Sequence, residues 1–319
     1  MLAIVLRRLQ GDVLRRSFAS LVQPEAIPTY AIMALQLVAA AILFAIAGFS
    51  LPVAALLAMP LWPLFLCAGS VFLRRYNHPR MCGWLEATGL VYFQGVSTLL
   101  LLIPLTAFSG PFADERLAAA DRALGFDWPA FAHYIAHSPS LTNCVVFVYN
   151  SFAWQPFLMI GGLFAARREG RAWQAVTAGA VAALITAIIY PLTPAVGAYI
   201  HFGLDRAEFA RFGAGWQFGP VLSAIKNDGV RSLTAQMIFT GYVSFPSYHA
   251  AVATIFAWSM WPFQKARMLF VPLNVAMIIV ATVGGGHYFV DIIGGTLVAA
   301  CAIVCAKRLV TEDQAPRPA

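Results

Sequence analysis

Two histidines lie where apolar segments of the chain meet polar ones. His249 follows Pro246 and Ser247 at the start of one apolar segment, and His287 precedes another, with Asp291 four residues later. Histidine can accept, hold and release a phosphoryl group near neutral pH. Two such residues at the boundaries of apolar segments therefore indicate chemistry on a lipid phosphate.

The spacing of His287 and Asp291 is i, i+4, which puts both residues on one face of a helix. We expect Asp291 to accept a hydrogen bond from one imidazole nitrogen, which fixes the tautomer and leaves the other nitrogen free to attack. An interfacial histidine that is paired for stability is the alternative. An ionisable pair at a membrane boundary favours the functional interpretation.

His249 falls in the first turn of a predicted helix. Pro246 suits a helix start, and Ser247 is a favoured N-cap residue. A helix N-terminus is an anion site because its first N–H groups are unpaired, and Ser247 adds a hydroxyl. His249 is then placed to protonate a leaving alkoxide as a general acid. An ordinary capped helix would explain this motif alone, so the pair of motifs is the stronger signal.

The composition is that of an integral membrane protein. Of the 319 residues, 60% are hydrophobic and 11% are charged, whereas soluble domains have about 25% charged residues. Apolar runs of about 20 residues are long enough to cross a bilayer as helices. The sequence therefore predicts an all-α polytopic membrane helix bundle with about eight transmembrane helices. The predicted spans are residues 28–49, 53–73, 84–108, 142–166, 173–190, 247–262, 268–283 and 288–306.

The charge distribution predicts the orientation of this bundle. The formal net charge is +7, and an eight-span arrangement with both termini in the cytoplasm places the basic loops on one side. The two longest connections, residues 109–141 and 191–246, then lie on the opposite side with both histidine motifs, and we call them the outer segments. In a bacterium this is the periplasmic face of the inner membrane, and in a eukaryote it would be the lumenal face. Basic loops of this kind serve topology and anionic lipids and do not indicate a nucleic-acid partner.

The chain divides into one domain and two flanking segments. Residues 1–27 combine apolar residues with arginines, which is typical of a basic amphipathic helix on the cytoplasmic leaflet. Residues 28–308 form a single integral membrane domain. Residues 309–319 are polar, contain proline and are predicted to be disordered.

The stretch from Ser244 to Ala250, followed by residues 287–291, resembles the type 2 phosphatidic acid phosphatase superfamily. More narrowly, it resembles the branch that contains inositol phosphorylceramide synthases, which are inositol phosphotransferases. Residues 121–128 and 190–194 also look like that branch. The resemblance implies a six-helix catalytic core, at about residues 84–306, to which the first two spans are additions.

By this resemblance His287 is the nucleophile that becomes phosphorylated, and Asp291 is its orienting partner. His249 protonates the leaving group and then activates the acceptor, while Ser247 and nearby backbone N–H groups bind phosphate. The resemblance implies neither a metal nor a cofactor. The substrate is expected to be a phospholipid or polyprenyl phosphate in the bilayer. Water as acceptor gives a phosphatase, and a polyol, sugar or ceramide hydroxyl gives a transferase, which the inositol-type resemblance favours slightly.

The chain lacks two cationic sequence motifs of the wider superfamily. It lacks the Arg-Pro motif before the first histidine motif, and residues 280–281 stand where that superfamily has a Ser-Arg pair. A transferring phosphoryl group carries negative charge that needs compensation. Lys226 and Arg231, in the second outer segment, are therefore predicted to bind phosphate. That they are solvated loop charges is an equally open alternative.

His133 and His137 form a second i, i+4 pair. The sequence places no acid near them that would complete a metal site, so we expect a surface helix and no metal.

Two other functions are compatible with this sequence. Eight spans suffice for a transporter, and a His/Asp pair can relay protons, although no inverted repeat is apparent. The chain can also be a catalytically inactive structural relative. In that case substitution of His249 or His287 changes stability and no activity.

Overall fold

The computed structural model describes residues 22–311 and is built of α-helices. Within that range, an isolated bridge between Ser50 and Ser232 is the one extended pairing. Most of the predicted amphipathic segment (residues 1–21) and of the predicted tail (residues 312–319) lies outside the described residues. In chain order the helices are α1 (Ile27–Ala47), α2 (Val53–Ala58), α3 (Leu61–Arg74), α4 (Pro79–Ala107), α5 (Asp114–Ala123), α6 (Trp128–Ala136), α7 (Pro139–Asn150), α8 (Gln155–Ala165), α9 (Glu169–Ile189), α10 (Ala198–His201), α11 (Ala214–Lys226), α12 (Ala235–Ile238), α13 (Tyr248–Met260), α14 (Gln264–Gly285) and α15 (Phe289–Leu309).

Five helices of the described range are long and apolar enough to cross a membrane, namely α1, α4, α9, α14 and α15. A sixth span results if α7 and α8 are counted as one, although they are bent by 56° at a short break. The predicted all-α membrane helix bundle is therefore confirmed.

The two remaining predicted spans contain shorter helices. Residues 53–73 form α2 and α3, and Pro60 is the N-cap of α3. Proline has no N–H and clashes with the preceding helical turn, so a continuous helix is interrupted there. Residues 247–262 form α13, whose 13 residues end at Met260, just before Pro262. The eight predicted spans thus correspond to five long helices, one bent pair and two regions of shorter helix.

Helix α9 lies at the centre of the bundle, in contact with α1, α4, α13 and α15. Of its apolar stretch 56% is buried, against 17% for α1, which therefore lies at the periphery. Ala178 and Ala182 of α9 belong to one buried cluster with Ala299 and Ala302 of α15. Small residues let helix backbones approach each other closely in a membrane.

The outer segments cover the end of the bundle where α14 turns into α15. Helices α5, α6, α10 and α11 lie in these segments, and their side chains form a buried cluster with residues of the turn. Trp128, Tyr199, Phe209 and Tyr288 are almost completely buried in it. This aromatic cluster fixes the outer segments against the turn that carries His287.

Candidate active site

The turn between α14 and α15 is built on glycine and carries His287. Helix α14 ends at Gly285, and the next residue, Gly286, has a φ of 69°, in the left-handed region that favours glycine. A Cβ atom on Gly286 would lie 3.0 Å from the Cα atom of Gly215 in α11. The glycine therefore reverses the chain and also lets an outer segment approach the turn.

The hydrogen bond of His287 defines its tautomer. Its Nδ1 atom lies 3.0 Å from the carbonyl oxygen of Ser244. A carbonyl oxygen only accepts hydrogen bonds, so Nδ1 is the protonated nitrogen and Nε2 keeps its lone pair. The side chain is buried, with the whole residue 4% exposed. The arrangement supplies an oriented imidazole whose second nitrogen is available as a nucleophile.

Asp291 acts on His287 more through Ser244 than by the direct bond that the spacing predicts. Its Oδ2 atom accepts hydrogen bonds from the Ser244 hydroxyl at 2.6 Å and from the Tyr288 N–H at 2.9 Å. The same oxygen lies 3.5 Å from Nδ1 of His287, which is long for a hydrogen bond. Asp291 is completely buried. The carboxylate therefore holds the serine whose carbonyl orients the histidine, and its charge lies next to the imidazole.

Ser247 joins the two histidine motifs. Its N–H donates to the carbonyl oxygen of Asp291 at 2.9 Å, and its hydroxyl caps α13 by accepting from the Ala250 N–H. Gly295 of α15 makes this approach possible, because a Cβ atom at that position would clash with the Ser247 carbonyl oxygen. The start of α13 is thereby fixed against the first turn of α15.

His249 faces His287 across an aromatic site. Its ring is stacked on Tyr149 at 4.6 Å between centroids and lies 4.6 Å from Phe152, while the two histidine rings are 6.1 Å apart. A Cβ atom on Gly285 would lie 3.1 Å from Nε2 of His287 and 3.0 Å from the Tyr149 hydroxyl. Glycine at position 285 therefore leaves the space beside Nε2 of His287 open.

Asp121, in α5, holds the N-terminus of α15. Its two carboxylate oxygens accept from the N–H groups of Phe289 and Val290, both at 2.8 Å. Burial raises the pKa of Asp121, the two N–H donors oppose this shift, and nearby Asp291 adds to it. A carboxylate at a helix N-terminus satisfies N–H groups that lack partners within the helix. Asp121 thus fixes the helix that carries Asp291.

Two further contacts hold the turn from the first outer segment. The indole N–H of Trp128 donates to the carbonyl oxygen of His287 at 2.8 Å. The hydroxyl of Tyr288 donates to Asp114 at 2.8 Å, and the same carboxylate accepts from the N–H groups of Val196 and Gly197. Helices α5 and α6 therefore hold the backbone of His287 and the side chain of the next residue, Tyr288.

No role for Ser244, Asp121 or Trp128 was predicted from the sequence. All three stand in the stretches that carry the family resemblance, and this was the only signal for them. Their partners lie 47, 168 and 159 residues away along the chain. No local spacing rule connects residues so far apart.

One family's sequence model matches residues 115–305, more than half of the chain, and its description is PAP2 superfamily, in which PAP2 denotes type 2 phosphatidic acid phosphatase. The chain belongs to the PAP2 superfamily. No curated protein and no solved structure matches it. Membership indicates phosphatase-type chemistry on lipid phosphates, and the matched region includes both histidine motifs and most of α5.

The two cations predicted to bind phosphate in this PAP2 protein are engaged elsewhere. Lys226 donates to the carbonyl oxygen of Ser109 at 2.7 Å, and burial lowers its pKa. Arg231 donates to the carbonyl oxygens of Ile225, at the end of α11, and of Val230, and it packs on the ring of Phe49. Lys226 is also eleven residues beyond Gly215, the residue that touches the His287 turn, or about 16 Å along a helix. None of the contacts given for these two cations in the described part of the chain is to His249 or His287.

The expectation about the second histidine pair of the PAP2 protein was wrong in one respect. The structure does bring an acid to it: Nδ1 of His133 lies 2.7 Å from Oε1 of Glu208. Glu208 belongs to the second outer segment and is 75 residues from His133. The sequence could not place it because the contact depends on how the two outer segments pack.

Proposed function

We propose that this PAP2 protein is a lipid phosphate phosphatase or phosphotransferase that works through a phosphohistidine at Nε2 of His287. The observation that carries the proposal is the tautomer of His287. Nδ1–H is held by the Ser244 carbonyl, and the second histidine lies 6.1 Å away between ring centroids. An oriented nucleophile beside a second acid–base residue is the requirement for covalent catalysis.

The first step is attack on phosphorus. The Nε2 lone pair of His287 forms the N–P bond while the ester P–O bond breaks and the lipid alcohol leaves. Imidazolium at His249 gives its proton to the departing oxygen and becomes neutral. Tyr149 and Phe152 surround His249 with aromatic rings, an environment that disfavours an isolated charge. The anionic phosphate of the substrate favours the imidazolium form, so protonation of His249 is coupled to substrate binding.

The second step reverses these roles. Neutral His249 takes a proton from the incoming hydroxyl, the new O–P bond forms, and the N–P bond to His287 breaks. Water and a phosphomonoester donor give inorganic phosphate. A phosphodiester donor leaves its phospho-headgroup on His287, and a polyol, sugar or ceramide hydroxyl then receives it. The carboxylate of Asp291 stabilises the positive imidazole of His287 in both steps.

In this mechanism the N-terminus of α13 is the main binding site for the negatively charged phosphate. Of its first four N–H groups, those of Ala250 and Ala251 bond to Ser247. The N–H groups of Tyr248 and His249 have no partner within a helix. They lie at the positive end of the helix dipole and can donate to the phosphate of the substrate. The Ser247 hydroxyl adds a donor. Phosphate binding by Lys226 and Arg231 stays a prediction, since both cations must leave the carbonyls they now contact.

The two histidine motifs, with residues 121–128 and 190–194, resemble inositol phosphotransferases, and the family match does not itself reach that branch. Transfer of an inositol phosphate-type headgroup is therefore the finer form of the proposal. The charge pattern of the loops supports an orientation with the histidine pair on the non-cytoplasmic side, which is the periplasmic side if the membrane is a bacterial inner membrane.

A turnover assay with trapping of the intermediate tests the proposal. Purified protein in detergent is incubated, with and without EDTA, with phospholipids and polyprenyl phosphates, and free phosphate and new lipids are measured by mass spectrometry. We expect turnover in both conditions, and an acid-labile phosphoryl label that His287→Ala abolishes. The control is His78→Ala, since His78 is exposed at the start of α4. If no substrate turns over while the protein is folded, the chain is an inactive relative or a transporter.

A further inference from the structure

Three ligand-type side chains converge on the surface of the outer segments, away from the histidine pair of the active site. His133 and His137 lie on α6, and Glu208 lies in the connection between α10 and α11. One potential ligand atom from each residue lies within 4.8 Å of those of the other two. The geometry thus brings two imidazoles and a carboxylate within reach of a single ion.

The hydrogen bonds of the two imidazoles suit metal binding. Nδ1 of His137 lies 2.7 Å from the carbonyl oxygen of His133. Because a carbonyl can only accept, Nδ1 carries the hydrogen and Nε2 of His137 keeps its lone pair. Histidines that bind metals characteristically donate their other ring N–H to a carbonyl or carboxylate in this way. Nδ1 of His133 and Oε1 of Glu208 are 2.7 Å apart, so a cation bound by both atoms would replace the hydrogen bond between them.

A buried aromatic residue supports the positions of His133 and Glu208. The ring of His133 packs at 5.2 Å on Phe209, the neighbour of Glu208 in sequence. Phe209 is completely buried against Tyr199. The carboxylate and the first imidazole are therefore held together by a packed aromatic residue and do not depend on a mobile surface contact.

We propose that His133, His137 and Glu208 form a binding site for Zn²⁺ or a related divalent transition-metal ion, with water completing the coordination. Two imidazoles and one carboxylate are ligands typical of zinc, whereas Mg²⁺ and Ca²⁺ require mainly oxygen ligands. The ion links α6 to the connection between α10 and α11. It lies outside the reaction, since His133 is five residues, about 7 Å along a helix, beyond Trp128, which contacts the His287 carbonyl. The bound ion therefore stabilises the outer segments over the active site.

Calorimetric titration tests the site. The protein carries no affinity tag, and it is first treated with EDTA to remove bound metal and then separated from the EDTA. We expect one Zn²⁺ per chain with a rise in Tm, and no saturable binding of Mg²⁺. His137→Ala and Glu208→Gln should each weaken Zn²⁺ binding about 10-fold to 100-fold. His78→Ala should leave binding unchanged, because His78 is an exposed histidine at the other end of the bundle.

Limited proteolysis tests whether the ion links α6 to the connection between α10 and α11. Arg206 and Arg211 flank Glu208 and are exposed, so trypsin should cut there, and Zn²⁺ should slow the cut in wild type but not in Glu208→Gln. The proposal is overturned if Zn²⁺ does not bind with one-to-one stoichiometry. It is equally overturned if His133→Ala/His137→Ala, with wild-type Tm in EDTA, binds Zn²⁺ as wild type does, which would locate the ion elsewhere, for example at Cys301 and Cys305. Neither result bears on turnover by His287.

Discussion

Two buried carboxylates, Glu86 and Asp291, lie in different parts of the bundle and are used differently. Glu86 is 2% exposed and has both oxygens bonded: Oε1 accepts from the Gln23 N–H and the Tyr30 hydroxyl, and Oε2 accepts from Arg74 at 2.6 Å. This group joins α1, α3 and α4 to the segment before them. Its contacts are complete, which is what a structural polar cluster requires.

Asp291 is completely buried, but only its Oδ2 atom is bonded; Oδ1 has no hydrogen-bond partner among the described residues. Its contacts run to Ser244 and Tyr288, and its charge lies 3.5 Å from an imidazole that keeps a free lone pair. A buried group that is incompletely paired costs stability. The comparison indicates that the Glu86 cluster stabilises the fold, whereas in the proposed mechanism the Asp291 carboxylate stabilises the positive charge that develops on His287.

The largest predicted effects are those of His287→Ala and Glu86→Gln, which should differ in whether turnover or stability is lost. His287→Ala removes the nucleophile, so kcat should fall by about 10⁴-fold or more, with little loss of stability. Glu86→Gln removes the buried negative charge that accepts from Arg74, so the free energy of unfolding should fall by about 3 kcal/mol, while the folded fraction keeps its kcat. Turnover and thermal unfolding of both variants in the same detergent check this. Loss of kcat in folded Glu86→Gln would contradict the comparison.

Asp291→Asn should have the next largest effect. The amide can still accept from Ser244 and Tyr288, but it carries no negative charge to stabilise imidazolium at His287. We expect kcat to fall by about 10²-fold to 10⁴-fold with a nearly unchanged KM. Steady-state kinetics give the two constants separately.

Ser244→Ala is the companion variant, because it keeps the carbonyl that binds Nδ1 of His287 and loses only the hydroxyl bond to Asp291. Its kcat should fall less than that of Asp291→Asn, by roughly 10-fold. An equal loss in both variants would mean that the hydroxyl bond, and not the charge of Asp291, is what His287 requires.

Asp121→Asn tests the contact between Asp121, in the first outer segment, and the N-terminus of α15. An amide has one acceptor oxygen in place of two, so one N–H of Phe289 or Val290 loses its partner. Asp127 is a matched control, since it caps α6 by accepting from the Ala130 N–H and does not touch α15. Both Asn variants should lose about 1 kcal/mol of stability or less, but only Asp121→Asn should also lower kcat, by several-fold. Equal kinetics in the two variants would leave Asp121 a purely structural cap.

The elements of the site that were predictable are those encoded locally. The helix starts at Ser247 and after His287 follow from capping residues and apolar runs, and the family motif relates the two histidines. Contacts between the outer segments and the turn were not predictable. Trp128 reaches the His287 carbonyl, and Glu208 reaches His133, through packing of segments that have no regular periodicity. The interruption at Pro60 was visible in the sequence, but the apolar run around it outweighed the proline in the span assignment.

The smallest effect is expected for Lys226→Ala. The amine of Lys226 is bonded to the Ser109 carbonyl, at 2.7 Å, and lies near the Phe112 ring, so its loss should loosen the outer segments and change kcat/KM by no more than about 3-fold. Lys265→Ala, on the predicted cytoplasmic side, is the control for removing a positive charge. If kcat/KM falls more than about 10-fold only in Lys226→Ala, the lysine leaves Ser109 for the phosphate during turnover. The phosphate would then be bound by the N-terminus of α13 together with a cation from the outer segments. This cation would reach the phosphate only during turnover, in contrast to the cationic motifs of the wider superfamily.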